Sequence, residues 1–274
     1  KHLWAATPDN GACAALYSAC EVRVKVGDGT TVRIVEDTRY PFEDTVRFTL
    51  ATEAPVAFPL YLRIPAWCPT PSITVNEGAI ETNGAGGTFV RLEREWQDGD
   101  RVVLTLPMQL KVQRWERNHD SVSVHYGPLT YSLKISERYD RFDSTKTAVG
   151  DSSWQDTADP GRWPSYEIHP TTPWNYGLIL DVANPENSFT VKQGVWPADS
   201  FPFTVDAAPI TIQAKAQRIP EWTIDRYGLC AVLQDSPVLS DQPVETVTLV
   251  PMGCARLRIS AFPVVGDGAT AQRW

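Results

Sequence analysis

The sequence predicts an all-β protein made of two antiparallel β-sandwich domains of the jelly-roll or immunoglobulin-like type. Residues 60–133 alternate apolar and polar side chains with a period of two, which is typical of strands that bury one face. Turn sequences, among them Gly-Asp-Gly at 27–29 and Asp-Gly-Asp at 98–100, separate the alternating segments. After about residue 18, the sequence shows no convincing helical period of 3.6. We therefore expect strands to form nearly the whole chain.

The first sandwich is predicted over residues 12–110. Its strands recur at short intervals with turn residues between them, and this spacing favours a sandwich or a barrel. Residues 1–11 are predicted to be the tail of a helix and a linker, with a turn at 8–11. The alternating segments place the strands of this domain at 20–26, 31–36, 45–51, 60–64, 73–75, 88–93 and 101–106.

The second sandwich is predicted over residues 111–254, after a boundary near Pro107. It contains an irregular polar segment, residues 137–176, in which prolines interrupt any strand pattern. A long irregular segment in a compact domain is usually functional or packed as a lid. A glycine-rich tail at 266–274 is expected to fray. Strands are predicted at 111–115, 121–126, 129–135, 178–181, 189–192, 210–216, 246–250 and 255–262.

Net charge and hydropathy limit which classes of partner the chain is expected to bind. The formal net charge of −8 argues against nucleic acid and anionic membranes, because phosphate groups are bound by basic surfaces. No run of about 18 apolar residues is present, so we expect no membrane span. Neutral and cationic ligands stay open, and a neutral sugar suits this charge. The residues indicate no compartment, so bacterial periplasmic, extracellular and cytoplasmic locations are all open.

The sequence shows no recognisable catalytic or metal-binding motif. Glu93 and Glu95 would share a charged, exposed strand face, and the acids at 98–100 shape a turn. The four histidines form no HxH or HxxxH arrangement, and GxSxG and HExxH are absent. The five cysteines are scattered without a CxxC pair and are expected to be buried thiols, with a Cys13–Cys20 bridge as the alternative. We therefore predict no catalytic residue and no metal site.

Aromatic residues in the irregular segment are the best candidates for a binding site. They are Trp154, Trp163, Trp174 and Tyr176. Tryptophan and tyrosine rings combine a large apolar face with a polar tip, and the C–H surfaces of sugars stack on such faces. We therefore predict carbohydrate binding by these four side chains. The alternative is that the rings fill the end of the sandwich as packing residues.

Several segments, taken in their order along the chain, resemble one enzyme family. They are LWAATPDNG and AALYSACEV near the start, then YPFEDTVRFTL, LYLRIPAWC, WQDGD, LPMQLKV, HYGPLTYSL, PWNYGLIL and VPMGCARLRISAFP. Together they are similar to the glycoside hydrolases of the β-L-arabinofuranosidase type, family 127. The similarity depends on the order and number of the segments, and it runs over most of the chain.

The resemblance implies an architecture and a chemistry. Family members look like an (α/α)6 barrel followed by β-sandwiches, so residues 1–11 would be the remnant of that barrel or its linker. The second sandwich would be inserted into the first, which residues 255–265 would complete. The family's chemistry implies a cysteine nucleophile, a glutamate acid/base and a zinc ion bound by cysteines and a glutamate, all in the barrel. No cysteine here lies in a matching Cys-Cys motif, so we carry over no catalytic residue and expect zinc only in the absent barrel.

These inferences lead to one expected function and two alternatives. We expect the non-catalytic C-terminal β-sandwich region of a glycoside hydrolase acting on plant-type glycans, inactive alone, that packs on and supports a catalytic (α/α)6 barrel absent from this chain. Its partners would be that upstream barrel and an oligo- or polysaccharide. The first alternative is a stand-alone carbohydrate-binding module that uses the loop tryptophans. The second is an adhesion-type sandwich without a ligand, against which the missing Cys…Trp…Cys spacing argues.

Overall fold

The fold is nearly all β, which confirms the predicted fold class. In the residues that the structure describes, helix is limited to short 3-10 turns such as Pro185–Ser188 and Met252–Cys254. No helix in the described part of the chain is both long and apolar enough to cross a membrane. The computed structural model describes residues 3–81, 84–142, 159, 161–226 and 228–266.

The chain divides into two compact units. The first comprises Lys1–Leu110 with His125–Leu129, and the second comprises Lys111–Val124 with Thr130–Trp274. Within the described residues, the first unit holds the strands β1 (Trp4–Ala6), β2 (Ala12–Ala14), β3 (Cys20–Val26), β4 (Thr30–Asp37), β5 (Thr45–Ala51), β6 (Val56–Arg63), β7 (Ser72–Val75), β8 (Gly78–Ile80), β9 (Phe89–Trp96) and β10 (Arg101–Thr105).

Two sheets form the first unit. One has the strand order β1-β2-β6-β9 and the other β3-β4-β5-β10-β7-β8, and the pairs are antiparallel except for β2 with β6. Strands β4 and β5 bury alternate residues, as Val32 and Ile34 of β4 show. Buried side chains from both sheets make one apolar core, which includes Leu60, Leu62, Leu92 and Trp96 from the first sheet and Ile34, Phe48, Leu50, Ile73 and Leu104 from the second.

The turn predicted at 27–29 joins β3 to β4 as an antiparallel hairpin. Gly27 has a φ of +57° and Gly29 a φ of +104°, which side chains other than hydrogen rarely allow. A Cβ atom on Gly27 would also lie 2.6 Å from the carbonyl oxygen of Ala57. Glycine at position 27 is therefore required by both backbone conformation and space.

The helical prediction for residues 1–11 is wrong. Residues Trp4–Ala6 form β1, which pairs antiparallel with β2. The Trp4 ring packs edge-on against Phe48, and its Nε1 donates a hydrogen bond of 3.0 Å to Glu36. These tertiary contacts hold residues Trp4–Ala6 in a strand. The sequence did not indicate this strand, because three residues are too few to show a period. The turn predicted at 8–11 is present, since the Thr7 amide donates to the Gly11 carbonyl.

The second unit is built around a larger sheet. Its strand order is β11-β12-β13-β19-β18-β16, and β17 also pairs with β18, whereas β14 and β15 form a separate hairpin. The strands described here are β11 (Leu110–Trp115), β12 (Ser121–Tyr126), β13 (Leu129–Leu133), β14 (Glu137–Phe142), β15 (Ser165–Pro170), β16 (Tyr176–Leu178), β17 (Phe189–Gln193), β18 (Ile210–Arg218) and β19 (Glu245–Pro251). Buried apolar side chains of this unit include Val124, Tyr131, Leu178, Ile212, Leu249 and Phe262.

Residues 255–265 do not complete the first sandwich. Phe262 exchanges two backbone hydrogen bonds with Val122, and Val264 bridges to Leu178. Phe262 is fully buried, so its side chain anchors the segment in the second unit. The return to the first sandwich that the family resemblance implied is therefore corrected.

The segment 137–176 is not irregular throughout. Its two ends form the antiparallel hairpin of β14 and β15, with Glu137 opposite Pro170. Both strands expose several polar side chains, so no apolar alternation marks them in the sequence. The prediction of a continuous loop is therefore wrong for these residues. The part between them at 143–158 lies outside the described residues.

Candidate ligand-binding cleft

The four predicted carbohydrate-binding residues lie in different settings. Trp174 is half-buried, whereas Trp163 is 65% exposed and lies under the guanidinium of Arg162. Tyr176 belongs to β16 and is buried, and its hydroxyl donates a hydrogen bond of 3.0 Å to Glu245. Its ring therefore offers no open face to a ligand. Trp154 lies outside the described residues.

Trp174 lines a cleft of about 490 Å³ in the second unit. Its other lining residues are Ile135, residues 167–170 of β15, then Ile224, Gly228 and Cys230, and finally residues 257–259. Among its polar side chains are Glu167, His169 and Arg258, and among its apolar ones are Ile135, Ile168, Ile224, Leu257 and Ile259. Concave sites that combine an apolar lining with a few polar groups are the usual form of small-ligand sites.

Glu137 fixes one wall of the cleft. Its Oε1 accepts backbone hydrogen bonds of 3.0 Å from both Arg256 and Leu257, and its Oε2 accepts one of 2.6 Å from Tyr139. Burial alone would raise the pKa of Glu137, but these hydrogen bonds lower it overall. The carboxylate therefore stays ionised and ties β14 to the segment that carries Arg258.

Asn175 fixes the wall that carries Trp174. Its side-chain amide is buried and donates to the carbonyls of Ile219 at 2.8 Å and Trp222 at 3.1 Å. Trp222 is buried in turn, and its ring packs edge-on against Trp174 at 5.2 Å. The Trp222 indole donates to the Ala231 carbonyl at 3.1 Å. Trp174 therefore rests on a side chain that is itself held in place.

Charged groups of both signs meet in and beside the cleft. His169 Nε2 lies 3.4 Å from a Glu167 carboxylate oxygen and 3.6 Å from one of Asp140. Arg258 donates from Nε to its neighbouring Ala255 carbonyl at 2.7 Å, which orients the guanidinium. This arrangement supplies hydrogen-bond donors and acceptors within one site.

Sequence reasoning found Trp174 and missed the polar groups around it. Glu167 and His169 stand two residues apart on β15, a spacing that places them on the same face of a strand. This spacing was not informative in the sequence alone, because β15 was not predicted to be a strand. Arg258 comes from a distant segment, and only the fold brings it to Trp174.

The cysteines are all free thiols, and no bridge joins Cys13 to Cys20. Burial raises the pKa of the Cys13, Cys68 and Cys254 thiols, that of Cys254 to about 11. Cys230 is exposed, so the prediction of burial is wrong for this residue. Within the described ranges, no group of three or more histidine, cysteine or acidic side chains is placed to hold a metal ion.

Comparison with known proteins finds a likeness in sequence over part of the chain and a likeness in fold over nearly all of it. The family model described as β-L-arabinofuranosidase, GH127 middle domain, matches residues 12–108. No curated protein matches the chain.

Among solved structures, a GH127 β-L-arabinofuranosidase from Geobacillus stearothermophilus T6 is similar with a TM-score of 0.61 and 20% identity, over 96% of this chain and 35% of that one. A glycoside hydrolase is similar with a TM-score of 0.58 and 21% identity, over 94% and 36%. A GH127 β-arabinofuranosidase is similar with a TM-score of 0.59 and 17% identity, over 94% and 35%.

These comparisons confirm the resemblance found in the sequence. The likeness in fold extends over nearly all of this chain, whereas the chain spans only about a third of the length of those solved structures. In sequence over residues 12–108, and in fold over almost its whole length, the chain therefore resembles the glycoside hydrolases of the GH127 type.

Proposed function

We propose that this chain is a non-catalytic accessory region of a glycoside hydrolase, which packs on and supports a catalytic barrel that cleaves arabinofuranosides in plant-type glycans. One observation carries the proposal. The chain matches its structural relatives over 94–96% of its own length but over only 35–36% of theirs. Its sequence match is to a middle domain. The catalytic groups would then lie in the remaining two thirds.

The chemistry of the cysteines supports a chain that carries neither nucleophile nor zinc. A thiol attacks or binds a metal as the thiolate, which a lowered pKa favours. Here desolvation raises the pKa of all five thiols, so none is poised as a thiolate at neutral pH. In this proposal, any zinc belongs to the catalytic barrel.

The outer face of the four-stranded sheet is our candidate for the packing surface. Tyr61 on this face donates a hydrogen bond of 2.7 Å to Asp9 and accepts one of 2.9 Å from Arg91. Phe89, at the start of β9, leaves half of its surface exposed. A fixed polar cluster beside an exposed aromatic ring suits an interface between domains. The register places one row across the four strands, formed by Ala5, Cys13, Tyr61 and Arg91.

Substitution of Phe89 in the full-length protein tests this packing. We expect Phe89→Lys to lower the temperature at which the enzyme loses activity, because a charge would replace an apolar contact between domains. Val195→Lys is the matched control, since Val195 is 90% exposed in the other unit. In the isolated chain, both variants should melt like the wild type. Equal thermal shifts for the two variants in the full-length protein would contradict the assigned surface.

A further inference from the structure

The cleft around Trp174 has the mixed chemistry that a sugar requires. Sugars present C–H faces and hydroxyl groups together, so their sites combine an aromatic wall with hydrogen-bonding side chains. Trp174 supplies the aromatic surface, and Glu167, His169 and Arg258 supply the polar groups. The volume of about 490 Å³ lies within the range of roughly 300–1,000 Å³ of small-ligand pockets.

The charges in the cleft favour a neutral ligand. Glu167 would repel an anion, and the Asp140 carboxylate beside His169 adds to that repulsion. Arg258 would repel a cation. A neutral hydroxyl group suits both signs, because it donates to a carboxylate and accepts from a guanidinium.

The cleft is held open by contacts that need no ligand. Glu137 ties β14 to the segment that carries Arg258, through two backbone hydrogen bonds of 3.0 Å. Asn175 holds the turn that supports Trp174 through Trp222. A preformed site loses less conformational entropy when a ligand binds, so each contact contributes more to affinity.

We propose that this cleft binds a neutral oligosaccharide, with one sugar ring against Trp174 and its hydroxyl groups hydrogen-bonded to Glu167 and Arg258. The binding does not depend on packing against a catalytic barrel. The chain would bind the sugar with or without that barrel, so the inference goes beyond the proposed accessory role.

Isothermal titration calorimetry of the purified chain with neutral arabinan, xylan and glucan oligosaccharides tests the proposal. We expect saturable binding of at least one of them. Trp174→Ala should weaken that binding by about tenfold or more, the loss typical of truncating an aromatic side chain at the centre of a site. Trp115→Ala is the matched control, because Trp115 is exposed and lies outside the cleft lining. Its affinity should equal that of the wild type.

A second variant distinguishes a loss of binding at the cleft from a loss of binding caused by misfolding. Glu167→Gln keeps the size of a side chain that is 62% exposed, so the fold should survive, and the lost acceptor charge should weaken binding several-fold. Three results would overturn the proposal. They are no binding of any neutral oligosaccharide, binding only of acidic galacturonan fragments or of peptides, and loss of binding in Trp163→Ala with full binding in Trp174→Ala.

Discussion

Glu36 is a carboxyl group on the core face of β4, where an apolar residue would be expected. It is 2% exposed and accepts hydrogen bonds from Trp4 Nε1 at 3.0 Å and from the Ser18 amide at 2.9 Å. The Cys20 thiol donates to it at 3.4 Å. Burial of a charged group is costly unless it is hydrogen-bonded, and these donors offset part of that cost. Glu36 thereby secures the start of the chain to the sheet.

Alternation along β4 places Glu36 on the same buried face as Val32 and Ile34. It did not reveal which donors would meet the carboxylate, because Trp4 and Ser18 approach from other segments. At the scale of single residues, the period of a strand predicts the direction of a side chain. It does not predict its partners.

The titration of Glu36 should make the free energy of unfolding depend on pH. Burial raises the pKa of Glu36 in the folded chain, so the folded state takes up a proton more readily than the unfolded one. The energetic penalty of the buried charge is therefore full above that raised pKa and is relieved as the pH falls through it. Urea unfolding measured as the pH is lowered from neutral towards the usual glutamate pKa should show the wild type gaining stability relative to Glu36→Gln.

Glu21 provides a control of opposite sign. The hydrogen bond from Arg33, 2.7 Å long, lowers the pKa of the exposed Glu21 carboxyl. Its stabilising contribution is present above the usual glutamate pKa and is lost as the pH falls through the lowered value. Relative to Glu21→Gln, the wild type should therefore lose stability at acidic pH. The same trend for both glutamates would refute the assigned environments.

At the scale of elements, alternation located several strands that have one buried face, but it also predicted a strand at 255–262 where only an isolated bridge forms. The predicted strands 20–26 and 45–51 coincide with β3 and β5. β1 was missed because it is too short to show a period, and β14 and β15 because they expose polar residues on both sides. The physical signal in the sequence is burial of one face, and strands without it give no period.

Strand β10 tests this account of burial directly. Leu104 is fully buried, whereas its neighbour Val103 is only half-buried on the opposite face. We expect Leu104→Ala to lower the free energy of unfolding by about 3 kcal/mol, because it removes core contacts and leaves a cavity. Val103→Ala should cost less than about 1 kcal/mol. Equal losses in urea unfolding would show that β10 does not bury alternate residues as described.

At the scale of the whole molecule, two sandwich-like units follow from composition and alternation, but the cleft does not. Its lining comes from Ile135, residues 167–170, Trp174, then Ile224, Gly228 and Cys230, and residues 257–259. Only Trp174 could be singled out in the sequence, because tryptophan in a polar segment is conspicuous. The polar groups of the cleft come from the hairpin of β14 and β15 and from residues 255–265. The conformation of both segments was predicted incorrectly.

The length of the chain relative to its structural relatives bears on its function. The chain resembles a region of larger glycoside hydrolases and spans about a third of their length. The proposed division of labour gives cleavage to the missing barrel, and support and sugar contact to this chain. If the reacting groups lie in the barrel, this chain alone will not cleave a glycoside, so activity distinguishes this account from its rivals.

The most direct measurement is the release of nitrophenol from 4-nitrophenyl β-L-arabinofuranoside by the purified chain, with zinc and a thiol reductant added. Our account predicts no release above the blank, because the nucleophile, the acid/base and the zinc ligands would all lie in the barrel. Sustained release that a chelator abolishes would contradict the central claim and place the catalytic machinery in this chain.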